Sequence, residues 1–153
     1  MATTRTASNA RFRLFNESVI AALVPNALYK FATWDVISSE TIDNVESLFV
    51  FTLRPVTFSR ENHDDNTDTA EILMQFGAPD NYESDSEEQT NLVESIEVLV
   101  EQYLEECAKL RSDWFIDYVN IQKESYFKQY GRNISGMYLR FTAQVNTCTP
   151  YTW

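Results

Sequence analysis

Near the start of the chain, hydrophobic residues recur among polar ones with the spacing of an amphipathic helix. In SNARFRLFNESVIAALV the apolar positions recur at intervals of three and four. This apolar stripe consists of Phe12, Phe15, Val19 and Leu23, widened by Leu14. The pattern predicts a helix near Asn9 to Val24, with Ser8 or Asn9 as its cap and Pro25 at its end.

Aromatic and β-branched residues then indicate strands. YKFATWDVI predicts a short strand around Lys30 to Ile37. LFVFTL is apolar at nearly every position, so this strand is expected to be covered on both faces, with a bulge, an edge position or an end at Pro55. TAEILMQFG predicts a returning strand, because Gly77 and Pro79 would cut a helix there very short. The two strands and the polar loop between them predict a long β-hairpin.

The segment SDSEEQTNLVESIEVLVEQYLEECAKLR predicts a second helix. Its near-heptad stripe consists of Leu92, Ile96, Leu99, Tyr103 and Leu110, widened by Val100 and Cys107. Ser86 with Gln89 resembles a capping box, and Glu87 and Glu88 suit the helix dipole. The opposite face is acidic and is expected to meet water or a basic partner, because its carboxylates repel one another. Its members are Glu94, Glu97, Glu101 and Glu105.

Two further strands complete the pattern. WFIDYVNIQ is expected to continue into KESYFKQY, and a turn around Gly131 leads to NISGMYLRFTAQV, which has one apolar face. Its other face carries Tyr138, Arg140, Thr142 and Gln144. The order predicts a single α+β domain over residues 1–153, with a mostly antiparallel sheet, a long hairpin and two helices packed on one face. Residues 1–8 and 147–153 are expected to be flexible tails.

Composition narrows the class of protein. A chain of 153 residues that is 44% hydrophobic and 14% aromatic can bury one full core. Its two cysteines lie far apart, which favours a reduced, intracellular setting over a disulfide scaffold. No apolar run reaches the roughly 18 residues of a membrane span, and the N-terminus lacks a signal-peptide pattern. We therefore expect a soluble protein without a membrane partner, assembled in the cytoplasm.

The net charge of −11 is distributed unevenly. Between Glu61 and Glu106 there are fifteen acidic residues and no lysine or arginine, whereas all twelve basic residues lie outside that segment. Affinity for nucleic acid comes largely from neutralising phosphates, so no sequence-specific nucleic-acid binding is expected. Arg5, Arg11 and Arg13 are interpreted as solvated, with contact to an acidic partner as the alternative.

The loop ENHDDNTDTAE is the most obvious candidate for a metal site. Asp64, Asn66 and Asp68 stand at the first, third and fifth positions of a calcium loop. However, Thr69 and Gln75 stand where such a loop needs glycine and a bidentate glutamate. The sequence therefore favours a solvated hairpin tip, and no metal is expected.

Catalytic patterns are weak throughout the chain. His63 has carboxylates beside it, but there is no G-x-S-x-G turn, and Cys107 lies on an apolar helix face where an inert thiol is expected. Cys148 has no obvious activating base near it in the sequence. Three glycines allow no phosphate-binding fingerprint, and no C-x-x-C pair suggests zinc. We expect no enzyme and no cofactor, and we expect interactions at the hairpin tip and the acidic helix face, the tip residues being His63, Asp64, Asp65 and Asp68.

The closing segment NISGMYLRFTAQVNTCTPYTW resembles the corresponding segment of tail-completion or tail-terminator proteins of long-tailed bacteriophages. In some members an SG pair precedes an alternating strand of the form L-x-F-T that ends near a cysteine. The predicted order of helices and strands is also similar to that family, as is the size.

This resemblance implies a non-enzymatic virion protein located at the tail or neck. Such proteins form a ring, usually a hexamer, that caps the tail tube and offers a docking surface to the head–tail connector. The expected partners are therefore copies of the chain itself, the tube protein and connector proteins. The alternatives are a head–tail connector or stopper, and a cellular acidic adaptor domain that binds a basic partner through Glu94, Glu97, Glu101 and Glu105.

Overall fold

The computed structural model describes residues 7–25, 27–33, 48–54, 56–79, 86–127 and 134–147. Within these residues there are two helices and five strands. In chain order they are α1 (Ser8–Leu23), β1 (Leu28–Thr33), β2 (Phe49–Arg54), β3 (Thr67–Pro79), α2 (Ser86–Trp114), β4 (Ile116–Tyr126) and β5 (Ile134–Asn146).

The five strands form one sheet in the order β1-β2-β3-β5-β4. β1 is parallel to β2, and the other three pairings are antiparallel. The α+β class and the mostly antiparallel sheet are therefore confirmed. β2 and β3 form the predicted hairpin, in which regular pairing ends at Thr52–Met74 and resumes at a single Ser59–Thr69 bridge. Residues 34–37 of the strand predicted around Lys30 to Ile37 lie outside the described residues.

Both helices cover the same face of the sheet, as predicted. Phe12, Phe15 and Val19 of α1 are fully buried, and the buried stripe of α2 joins them in one core. That stripe runs through Val93, Ile96, Val100, Tyr103 and Cys107, so its centre is rotated slightly from the predicted one. The sheet contributes Ile72, Met74, Phe76, Leu139 and Phe141. Burial of each large apolar side chain contributes about 1.5–3 kcal/mol.

Two polar residues of α1 lie on its buried stripe. Arg11 and Asn16 are both 0% exposed, so the interpretation of Arg11 as solvated is wrong. Arg13, by contrast, is half exposed and pairs with Glu17 at 3.2 Å. The predicted cap is also absent, because the capping position is Ala7 and Ser8 already belongs to the helix. Arg5 lies outside the described residues.

A single residue joins α2 to β4. Phe115 has φ 57°, a left-handed conformation that is costly for a bulky residue, by about 1–3 kcal/mol. Its carbonyl oxygen accepts a hydrogen bond from the amide of Asn146 at 2.9 Å. The end of β5 therefore holds the joint between the helix and the strand.

Two glycines face each other across the pairing of β3 with β5. Gly77 pairs with Gly136. A Cβ on Gly136 would lie 2.0 Å from the carbonyl oxygen of Phe76, and one on Gly77 would lie 2.3 Å from the hydroxyl of Tyr126. That hydroxyl donates to the Phe76 carbonyl at 3.0 Å. Only glycine fits at either position without a shift of neighbouring atoms.

Gly136→Ala is expected to lower the free energy of unfolding by about 3 kcal/mol, because its Cβ meets backbone that cannot rotate away. Urea denaturation of the variant and the wild-type protein measures this change. Thr142→Ala on the same strand is the control, with an expected change of about 0.5 kcal/mol or less. Equal unfolding midpoints for Gly136→Ala and wild type would contradict the close approach of the two strands.

Candidate functional site

The tip of the hairpin is a turn held by hydrogen bonds among its own residues. The amide of Asn62 donates to Asp65 Oδ2 at 2.9 Å, and the amide of Asp65 donates to the Asn62 carbonyl at 3.1 Å. The Arg60 guanidinium donates to the His63 carbonyl at 3.2 Å. His63 and Asp64 are exposed between these bonds. Their side chains are thus presented to solvent by an ordered turn.

Asp68 lies apart from the tip and is buried. Its Oδ1 is 2.7 Å from Arg60 Nε, and the Ser8 hydroxyl donates to its Oδ2 at 2.6 Å. One turn further along α1, Arg11 donates to the Asn146 carbonyl at 2.5 Å. These bonds tie the first turn of the helix to both the hairpin and the end of β5. The side chain of Asp68 therefore makes contacts within the chain. It was predicted to be an interaction residue of the tip, but it is buried.

The same ties reach the segments predicted as flexible tails. Ser8 is 6% exposed, and Thr147 is 0% exposed with its amide donating to the Asn66 carbonyl at 2.8 Å. The tail prediction is therefore wrong for these two residues. Residues 1–6 and 148–153 lie outside the described residues.

The acidic face of α2 is partly neutralised within the chain. Lys123 of β4 binds Glu97 at 2.8 Å and Glu101 at 2.5 Å. Hydrogen bonds raise the pKa of Lys123, and the bond to Glu101 has a larger effect than the bond to Glu97. Glu105 lies 3.8 Å from Lys109, and Glu94 is exposed. At the centre of this face, the basic group that contacts the carboxylates is a lysine of the neighbouring strand.

Metal and thiol chemistry find little support in the described part of the chain. Among those residues, no three His, Cys, Asp or Glu side chains are grouped closely enough to hold a metal ion. Burial raises the pKa of Cys107 to about 12, so this thiol stays protonated and unreactive at neutral pH. Cys148 lies outside the described residues. None of the described helices is long and apolar enough to cross a membrane.

A buried polar network connects five of the seven elements. Asn16 Nδ2 donates to Thr52 Oγ1 at 2.8 Å and to the Tyr29 hydroxyl at 3.0 Å. The Tyr103 hydroxyl donates to Asn16 Oδ1 at 2.7 Å and lies 3.0 Å from the Tyr118 hydroxyl. Desolvation raises the pKa of Tyr29 to about 12 and those of Tyr103 and Tyr118 well above their ordinary value. The network is therefore neutral at physiological pH and joins α1 and α2 to β1, β2 and β4.

The sheet face opposite the helices, which we call the open face, carries a shallow trough of about 410 Å³. Its lining residues include Glu71, Leu73, Asn120, Gln122, Arg140 and Thr142. A second depression of about 480 Å³ adjoins it and shares Glu71 and Thr142. Beyond the other end of the trough, the same side of the sheet is aromatic and buried, with Phe49 and Phe51, both 0% exposed, stacked 4.6 Å apart.

A β-bulge shapes the side of the trough formed by β4. The pairing of β4 with β5 shifts between Val119 and Gln122. Asn120 adopts φ 56°, a left-handed conformation that asparagine tolerates better than most residues. The extra residue shifts the register of β4 against β5 by one position, so that Gln122 lies opposite Arg140. The bulge thus brings two amide side chains and one guanidinium to the same depression.

No protein-family model matches this chain, and no curated protein matches it. The alternation of the closing strand already predicts that Arg140, Thr142 and Gln144 share one face. The trough needs the bulge at Asn120 as well, which no sequence pattern indicates.

Raising the pH above the ordinary tyrosine pKa of 10.0 is expected to destabilise the protein. Burial raises the folded-state pKa of Tyr29 to about 12, so the stability it reflects is complete below pH 10.0 and is lost as the pH approaches about 12. Burial also raises the pKa values of Tyr103 and Tyr118 well above 10.0, so these groups add to the loss of stability above that pH. Each such group contributes a slope of about 1.4 kcal/mol per pH unit. Urea denaturation at several pH values, followed by tyrosinate absorbance, measures this loss.

Tyr103→Phe is the matched variant for this titration. At neutral pH it is expected to cost about 1–3 kcal/mol, because Asn16 Oδ1 loses its donor. Above pH 10.0 its stability should fall less steeply than that of the wild type. Ionisation of all tyrosines near their ordinary pKa, without loss of stability, would contradict the buried network.

Proposed function

We propose that this chain is a structural subunit that works by assembling with copies of itself, as a tail-completion protein of a long-tailed bacteriophage does. The observation that carries the proposal is the free edge of β4. This strand has eleven residues and pairs only with β5 among the described strands. An uncovered edge of that length presents unpaired backbone groups, which a neighbouring subunit can cover.

Exposed apolar side chains lie at the same edge. Three large hydrophobic residues are exposed in the described part of the chain, and two of them are Ile121 of β4 and Phe127 just after it. They are 45% and 47% exposed. These two side chains add apolar surface along the free edge, which a neighbouring subunit can bury. The bulge at Asn120 divides β4 into two parts that pair regularly with β5, residues 116–119 and 122–126.

The net charge of the chain suits a ring around a channel. A subunit with net charge −11 repels DNA, so a ring of such subunits would let DNA pass without binding it. In this proposal the ring ends the tail tube within the virion and contacts the tube protein on one side and the connector on the other. A head–tail connector would use the same edge and the same charge, and it is the alternative.

The cellular adaptor alternative has less support. Its binding surface would be the acidic face of α2, yet Lys123 already occupies the centre of that face. A basic partner would have to displace this lysine or bind beside it. The free edge of β4 has no comparable partner among the described residues.

Ile121→Lys with Phe127→Lys is expected to convert the assembled protein to a monomer, because two added charges oppose burial of the β4 edge. Sedimentation or light scattering over a range of concentrations measures the mass of the particles. Val98→Lys is the matched control, since Val98 is 57% exposed but lies on α2. A wild-type chain that stays monomeric at its highest soluble concentration would contradict the proposal.

A further inference from the structure

Arg140 differs from every other described lysine or arginine side chain. Five of the others lie within 4.0 Å of a carboxylate, and Arg11 is buried against a backbone carbonyl. Arg140 is exposed and has no ion pair with a described residue, in a chain of net charge −11. The five paired residues are Arg13, Arg60, Lys109, Arg111 and Lys123. A guanidinium without an ion pair among the described residues is available to an external carboxylate.

The trough around Arg140 has the donors that a carboxylate needs. A guanidinium offers a planar fork of N–H donors that matches two carboxylate oxygens. Asn120 and Gln122 line the same depression and each adds an amide NH₂ group. The hydroxyl of Thr142 is a further donor at the wall. Glu71, at the junction with the second depression, can accept a hydrogen bond from a donor beside the incoming carboxylate.

The hairpin tip carries the complementary groups. Asp64 is exposed, and its side chain has no hydrogen bond or ion pair with a described residue. The neighbouring His63 is a possible donor to Glu71, and its side chain is equally uncommitted among the described residues. The turn is already ordered by the Asn62–Asp65 bonds, so little conformational entropy is lost when it binds.

We propose that the trough of one copy binds the hairpin tip of a neighbouring copy, with Asp64 of the tip on Arg140 of the trough. This inference rests on the proposed self-assembly and deepens it. Asn120 and Gln122 belong to β4, so the trough is continuous with the edge at which the neighbour is proposed to dock. The tip and the trough are different surfaces of one chain, so copies that each bind the next one in this way form a head-to-tail series, and such a series closes into a ring when the rotation allows it.

The test is a charge swap divided between two proteins. Arg140→Glu and Asp64→Arg are each expected to weaken self-association about a hundredfold, because like charges then meet at the contact. In an equimolar mixture, each trough finds a tip of opposite charge on the other variant. The mixture is therefore expected to assemble with the two variants alternating, and native mass spectrometry measures both the mass and the composition.

The controls reverse charges that lie outside the trough and the tip. Arg13→Glu and Asp113→Arg make the same changes on α1 and near the end of α2, and both should assemble as the wild type does. Circular dichroism and thermal unfolding establish that each variant is folded, and Arg140→Gln and Asp64→Asn provide milder versions of the same test. Their effect should have the same sign and be smaller.

The outcomes separate this inference from the function on which it rests. Assembly of Arg140→Glu at wild-type affinity overturns the inference and leaves self-assembly intact. Loss of assembly in both variants without rescue in the mixture also overturns it, since Arg140 and Asp64 then contact other groups. A wild-type chain that does not self-associate defeats the proposed function itself.

Discussion

The side-chain amide of Asn16 is the interaction on which the arrangement of the two layers depends. It donates to Thr52 and Tyr29 and accepts from Tyr103, and Tyr103 continues the network to Tyr118. A buried amide without these partners would cost about 1–3 kcal/mol per unsatisfied group. Apolar contacts alone would allow α1 to slide along the sheet, because burial of hydrophobic surface has little directionality. The amide fixes one position of the helix.

A second set of bonds closes the end of the sheet near the hairpin tip. Ser8, Arg11 and Asp68 bring the start of α1 against the hairpin and the last residues of β5. Asp68 and Arg60 form an ion pair that is mostly shielded from water, so removal of either partner leaves a charge with poor compensation. The tip beyond Asp68 is therefore carried on a rigid base, although His63 and Asp64 themselves are exposed. An ordered base is what distinguishes this tip from a merely solvated loop.

Hydrophobic spacing predicted most of the elements, because each helix and strand buries one face. The hairpin, both helices and the closing strand were all found near their predicted positions. Long-range partners decided the rest. Arg11 lies four residues before Phe15, and Asn16 lies four residues after Phe12. Helical spacing therefore already placed both on the buried stripe. Their side chains could be assigned there only with knowledge of the distant groups that bind them.

The joint at Phe115 gives the molecule a mechanical property. Trp114 ends α2 and Ile116 begins β4, so a single strained residue replaces the loop that usually separates a helix from a strand. Lys123 adds a second connection between the same two elements further along. A force on the edge strand is therefore transmitted directly to the helix, because no flexible loop separates them. β4 and α2 are thus tied together at two points along their length.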